Sequence, residues 1–214
     1  MEKLAKQLAF KIASSLNYDK EKEAVIAYGL IAIIQVTITV LLILLFGILI
    51  NAPVEALIIC FSASLLRKYS GGAHAETPEL CTMISVLYCT LTALLAKYLL
   101  VAIYRPIPMA IAILLIFALS FLVIYQLAPV DSPNKPIRTE KKKKRMRKGR
   151  FLILFVYFIL SLIFWVFSNS FAAFKAYAVC ILLGISWQTL TLTSVGFLFI
   201  GKINHLLIHR KEGL

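Results

Sequence analysis

The chain has 214 residues, 61% of them hydrophobic, with a mean hydropathy of +0.89 and a formal net charge of +13. A soluble domain cannot hide that much apolar surface, and the lysines and arginines gather between apolar runs instead of forming a nucleic-acid-binding face. Membrane lipid is therefore an expected partner and nucleic acid is not.

From Lys3 to Leu16 the apolar residues Leu4, Leu8, Ile12 and Leu16 recur every four, with Lys3, Lys6, Gln7 and Lys11 between them. That spacing predicts an amphipathic helix within 1–20 lying at the membrane interface. The mixed-charge joint Asp19-Lys20-Glu21-Lys22-Glu23 closes it. The next apolar run starts too late and is too long for a cleavable signal.

The runs 24–50, 80–103, 106–128, 151–168 and 176–200 each match the roughly 17–25 residues of a helical bilayer crossing. Between the first two lies 54–66, a shorter run with an internal Glu55, read as a short crossing. Ser62 and Ser64 on it suit packing against protein. The expected fold class is all-α: a single polytopic membrane domain with about six crossings, satisfying its backbone within its own helices.

Under this arrangement all but Lys97, Arg105 and Lys175 of the 23 lysines and arginines fall on one side. Positive loops face the cytoplasm, so both termini, the loop 67–79 and the basic loop 129–150 are expected there. Cys60, Cys89 and Cys180 sit inside apolar runs, and Cys81 borders a polar loop. A disulfide framework is not expected.

The polar loop carries the chemistry. In Arg67-Lys68-Tyr69-Ser70-Gly71-Gly72-Ala73-His74-Ala75-Glu76-Thr77-Pro78-Glu79-Leu80-Cys81, Thr77-Pro78-Glu79 is a helix-start pattern of cap, first-turn proline and first-turn carboxylate. Cys81 then lies near a helix N-terminus, whose positive end favours an anion. Within one continuous helix His74 and Cys81 would stand ~10 Å apart along the axis. Gly71-Gly72 and Pro78 break that continuity, so a loop histidine can fold back toward the thiol as base to nucleophile.

The order Arg67, Gly72, His74, Cys81 resembles the catalytic motif of the accessory gene regulator B (AgrB) family, membrane cysteine endopeptidases of bacterial quorum sensing. The stretch Ala128-Pro129-Val130-Asp131-Ser132-Pro133-Asn134-Lys135-Pro136 is similar to that family's second motif. The resemblance implies cleavage of a cytosolic AgrD-like propeptide with Cys81 as nucleophile and His74 as general base. It further implies cyclisation to a thiolactone, a homodimer in the bacterial cell membrane and no cofactor.

Other roles stay open. Arg67 either holds a carboxylate or anchors the membrane end, Gly72 supplies backbone freedom or an oxyanion donor, and Glu76 or Glu79 orients His74. Ser70 is read as a plain loop residue. The run Lys141-Lys142-Lys143-Lys144-Arg145 contacts lipid headgroups and attracts an acidic substrate tail. Rival readings are a zinc site built from His74, Glu76 and Cys81, with His205 and His209 as a second set, and a peptide exporter lined by Gln35, Glu55 and Gln188. No third catalytic residue stands out.

Overall fold

The computed structural model describes residues 2–130 and 140–208, and within them every regular element is helical. The helices are α1 (Glu2–Ser15), α2 (Lys20–Leu49), α3 (Pro53–Ser70), α4 (Pro78–Leu94), α5 (Pro106–Leu127), α6 (Glu140–Val166), α7 (Ala172–Leu190) and α8 (Ser194–Ile208). A π-helical turn, Leu95–Leu100, extends α4. Five stretches are long and apolar enough to cross a membrane: Lys20–Leu49, Pro78–Leu100, Pro106–Leu127, Lys142–Asn169 and Ala172–Leu190.

Local chemistry sets several helix starts. Asp19 caps α2 by accepting from the Lys22 N–H at 2.8 Å. Pro53, Pro78 and Pro106 each occupy a first helical turn, where the missing N–H has no partner to lose.

Three expectations need correction. The run 54–66 belongs to an 18-residue helix, roughly 27 Å long at 1.5 Å per residue, because Arg67 to Ser70 continue it. With Glu55, Arg67 and Lys68 inside its 18 residues, it lacks the long apolar window that each of the five spans contains. The run 176–200 is two helices, since α7 stops at Leu190 and α8 begins at Ser194. The basic loop 129–150 is helical from Glu140 onward, so Lys142 to Arg150 ride on the first turns of α6.

α3 lies at the centre and packs on α2, α4, α6 and α7. Its contact with α7 is close because Gly184 meets Ser62: a Cβ at 184 would lie 2.7 Å from the Ser62 Cβ. Small residues let membrane helices approach this way. Ser62 is buried as expected, whereas Ser64 is exposed. Tyr157 donates from α6 to the Phe61 carbonyl at 2.9 Å, and Tyr88 donates from α4 to the Leu183 carbonyl at 2.9 Å.

The bundle has two distinct ends. At one, Tyr98 donates to the Ile50 carbonyl, Lys97 bonds Glu55 and the Asn51 carbonyl, and the Trp165 indole donates to the Pro106 carbonyl. At the other meet the end of α3, the start of α4, the end of α5, the start of α6 and the end of α7. α3 thus runs from one end to the other despite its charges.

α1 packs on α2 through a stripe that the four-residue apolar period does not mark: Ala5, Ala9 and Ala13, all buried. Leu4, Leu8, Ile12 and Leu16 remain exposed, the face the sequence assigns to lipid. Gln35 donates to the Pro78 carbonyl at 3.3 Å, which places the start of α4 level with the middle of α2. Residues 20–34 of α2 therefore reach roughly 20 Å beyond that level.

Candidate active site

The loop after α3 is shaped by two glycines. Gly71 has φ +74° and its N–H caps the helix on the Arg67 carbonyl at 2.9 Å; Gly72 has φ +128°. Side chains rarely tolerate such dihedrals. Space forbids them as well, since a Cβ on Gly71 would lie 2.3 Å from the Val130 carbonyl oxygen, and one on Gly72 2.9 Å from Thr191 Oγ1.

Both contacts belong to a cradle that grips the loop. The Val130 N–H donates to the Ser70 carbonyl at 2.9 Å, and the Ala73 N–H donates to the Thr191 carbonyl at 2.8 Å. Gln188 of α7, fully buried, donates from Nε2 to Ser70 Oγ at 2.9 Å and to the Gly71 carbonyl at 2.7 Å. Thr191 Oγ1 lies 3.3 Å from Gln188 Oε1, occupying the other side of the amide. Further along, the Glu76 N–H donates to Asn204 Oδ1 of α8 at 3.3 Å. The break between α7 and α8 is thus the surface on which the loop rests. Arg150 donates to the Ala128 carbonyl, holding the strand-like turn that presents Val130.

His74 sits exposed between the two backbone anchors, Ala73 and Glu76. Thr77 then starts α4 as the sequence predicts, its hydroxyl accepting from the Leu80 N–H at 3.2 Å. Cys81 is a free, half-buried thiol in the first turn, its N–H bonded to the Thr77 carbonyl at 3.1 Å. Ser85 donates to the Cys81 carbonyl at 2.8 Å, and Thr39 meets Thr82 at 3.0 Å, so α2 braces the turn that carries the thiol.

Arg67 occupies the last turn of α3, donates from Nη2 to the Ala73 carbonyl and interacts electrostatically with Cys81. Its Nε is buried with no hydrogen-bond partner among the described residues. Of the two roles open to it, its visible partner is the loop backbone beside His74. Gly72 is buried and held at positive φ. The backbone of Glu76, not its carboxylate, makes the described contact, while Glu79 is an exposed first-turn residue of α4. Ser70 is corrected from a loop residue to the final residue of α3, buried and donating to the Leu66 carbonyl at 2.9 Å.

Among the residues once open to a transport path, Gln35 bonds Pro78, Glu55 pairs with Lys97 and Gln188 holds the loop. Among the described residues no three His, Cys, Asp or Glu side chains gather to hold a metal ion. His209 and the Asn134-Lys135-Pro136 stretch lie outside the described residues, as does the Lys141 side chain. Lys143 pairs with Glu140 at 3.9 Å, an exposed contact of small energetic weight. The sequence does not point to Thr191 and Asn204, offers Gln188 only as a transport-path residue, and marks Val130 only as part of the second motif. A fully polar amide in an apolar run, two adjacent glycines on the loop and a repeated Thr-Leu pattern were the signals available.

The bundle and its loop define a polytopic helical membrane protein whose polar end presents a histidine loop and a helix-start cysteine. A family model described as Accessory gene regulator B matches residues 5–192. The chain belongs to this AgrB family. It is 38% identical over 210 residues to a "Putative AgrB-like protein" of Clostridium perfringens strain SM101, covering 95% of this chain and 96% of the relative. A "Putative AgrB-like protein 2" of Clostridium perfringens strain 13 is 38% identical over 207 residues, with the same coverage. A "Putative AgrB-like protein" of Halalkalibacterium halodurans is 23% identical over 212 residues, covering 99% and 96%. No solved structure matches the chain.

Proposed function

We propose that this protein is a membrane cysteine endopeptidase that cuts an AgrD-like propeptide on the C-terminal side of the future signal and promotes closure of a thiolactone. The observation that carries the reading is the placement of Cys81, a half-buried free thiol in the first turn of α4, directly after the anchored His74 loop.

His74 takes the thiol proton as Cys81 Sγ attacks the scissile carbonyl carbon, and returns it to the departing amine. The C–N bond breaks, the C-terminal fragment leaves as an amine, and the N-terminal fragment is held on Sγ as a thioester. A cysteine thiol of that fragment then attacks the same carbonyl, forming the thiolactone and releasing Cys81. One thioester replaces another, so the activated bond survives; hydrolysis would dissipate it, and a site shielded from water favours the transfer. Arg67 is a positioning residue in this reading, holding the loop through Ala73 beside the thiol.

The loop and both termini face the cytoplasm, with the basic residue distribution as support: all but Lys97, Arg105 and Lys175 fall on that side. The leucine stripe of α1 lies against lipid, and the basic start of α6 draws an acidic segment of the precursor. A homodimer belongs to the reading on the family resemblance.

The test is cleavage of a tagged precursor by membranes carrying equal amounts of each variant. Cys81→Ala and His74→Ala each abolish cleavage, while a thiol alkylator stops the parent protein and a metal chelator does not. Full cleavage by either variant contradicts the thiol mechanism.

A further inference from the structure

An open groove of about 620 Å³ lies between the last turn of α3 and the first turns of α6, lined by Tyr69, Lys144, Arg145, Lys148, Gly149 and Leu152. The Tyr69 ring forms its floor by lying against Gly149, where a Cβ would stand only 2.3 Å from the ring. Three cations share one wall, and among the described residues no ion pair engages them; the carboxylate on that helix, Glu140, pairs with Lys143 instead. Like charges gathered side by side repel one another, so the groove favours an anion.

The groove's position along α6 narrows the anion. The helix is basic up to Arg150 and apolar from Phe151 to Val166, and the groove straddles that change. Lys144, Arg145 and Lys148 stand on the polar side, while Leu152, 62% exposed, stands on the apolar side. Tyr69 joins the two with an apolar ring and a polar tip, a combination suited to the membrane boundary. A ligand matching this gradient is anionic at one end and hydrocarbon at the other. Inorganic phosphate satisfies only the first half, and an acidic peptide segment has no acyl chain for Leu152.

We propose that this groove binds the headgroup of an anionic phospholipid, its phosphate among Lys144, Arg145 and Lys148 and an acyl chain running past Leu152. The site is independent of the peptidase reading, because lipid binding requires neither His74 nor Cys81. The lipid phosphate thus takes the groove side of the basic run, Lys144, Arg145 and Lys148. Tyr69 shares the last turn of α3 with Arg67, so an occupied groove packs against the turn that holds the loop.

The test uses the full chain in nanodiscs. Phosphatidylglycerol carried through purification is counted by native mass spectrometry, in bilayers of phosphatidylcholine containing a small fraction of phosphatidylglycerol. The parent protein retains phosphatidylglycerol in preference to phosphatidylcholine. A variant with Lys144→Gln, Arg145→Gln and Lys148→Gln loses that preference by about tenfold or more, and Lys144→Arg with Lys148→Arg keeps it. A charge-matched control with Lys142→Gln, Lys143→Gln and Arg147→Gln stays within about twofold of the parent, which separates a site from general attraction to an anionic surface.

Equal loss in both triple variants overturns the proposal. So does displacement of the lipid by millimolar inorganic phosphate, which would make the acyl chain irrelevant. Binding of a short polyglutamate peptide to the groove in pure phosphatidylcholine, with no phosphatidylglycerol retained, would reassign it to an acidic peptide. Loss of cleavage in Cys81→Ala with lipid retention unchanged leaves this site standing, so the two readings fail separately.

Discussion

The backbone N–H of Ala73 donates to the carbonyl of Thr191 at 2.8 Å, tying the residue before His74 to the break after α7. Gln188 reinforces the tie one helical turn earlier, through Ser70 and Gly71. The loop that carries His74 is thereby registered against a rigid helix end, a requirement for any base that must meet a thiol on a different element.

Replacing Gln188 with Met keeps its size and removes both donated bonds from a fully buried site. Leaving Ser70 Oγ and the Gly71 carbonyl short of a donor is expected to cost about 1–3 kcal/mol. Thermal unfolding in detergent should show a lower midpoint. Precursor cleavage at saturating substrate should fall more than the substrate concentration needed for half-maximal rate rises, because the loop's placement changes and not the binding surface.

Glycine at 72 is held by both its dihedral and its surroundings. Gly72→Val places a side chain at φ +128°, 2.9 Å from Thr191 Oγ1 at the Cβ alone. A strain of about 1–3 kcal/mol and a severe loss of cleavage are expected. Gly29→Ala serves as the contrast, since nothing lies within 4 Å of its Cβ and it sits inside α2. There the exchange should be neutral or stabilising by about 0.5–1 kcal/mol, read in the same unfolding assay.

Arg67→Ala removes the donor to the Ala73 carbonyl and a positive charge that interacts electrostatically with Cys81. A charge-assisted hydrogen bond of about 1.5–3 kcal/mol corresponds to a roughly 10- to 150-fold fall in cleavage rate. Arg67→Lys keeps the charge without the planar fork and should recover only part of it. Equal activity of parent and Arg67→Ala would remove Arg67 from the site.

The ion pair between Glu55 and Lys97, 3.5 Å at the far end of the bundle, offers the opposite signature. Glu55 is buried and Lys97 partly exposed, so Glu55→Gln is expected to cost about 1–2 kcal/mol, between the values for exposed and buried pairs. Cleavage per folded molecule should not change, because the pair lies away from the loop. A fall in that ratio, measured against folded protein by size-exclusion profile, would show that the two ends communicate.

Residue chemistry near helix starts was legible in the sequence. Thr77-Pro78 announced α4 because capping is local, and the apolar runs announced the bundle because transfer into lipid depends on composition. Helix ends and breaks were not. Nothing in Arg67 to Ser70 marks the continuation of α3, which depends on burial of Ser70 against Gln188. The Thr189-Leu190-Thr191-Leu192-Thr193 stretch stays mildly apolar and has no glycine or proline, so one apolar run hides two helices and the seat of the loop. Ala5, Ala9 and Ala13 escaped notice because a contact between small residues leaves no strong apolar period.

The most direct measurement is the mass of the enzyme during turnover with a precursor whose ring-closing cysteine is replaced by alanine, so that the acyl-enzyme has no internal thiol to leave to. The account predicts a hydroxylamine-labile adduct on Cys81 equal to the N-terminal fragment less one water, present in the parent and absent in Cys81→Ala. Cleavage of that precursor with no adduct at Cys81, or the same adduct on Cys81→Ala, would contradict it.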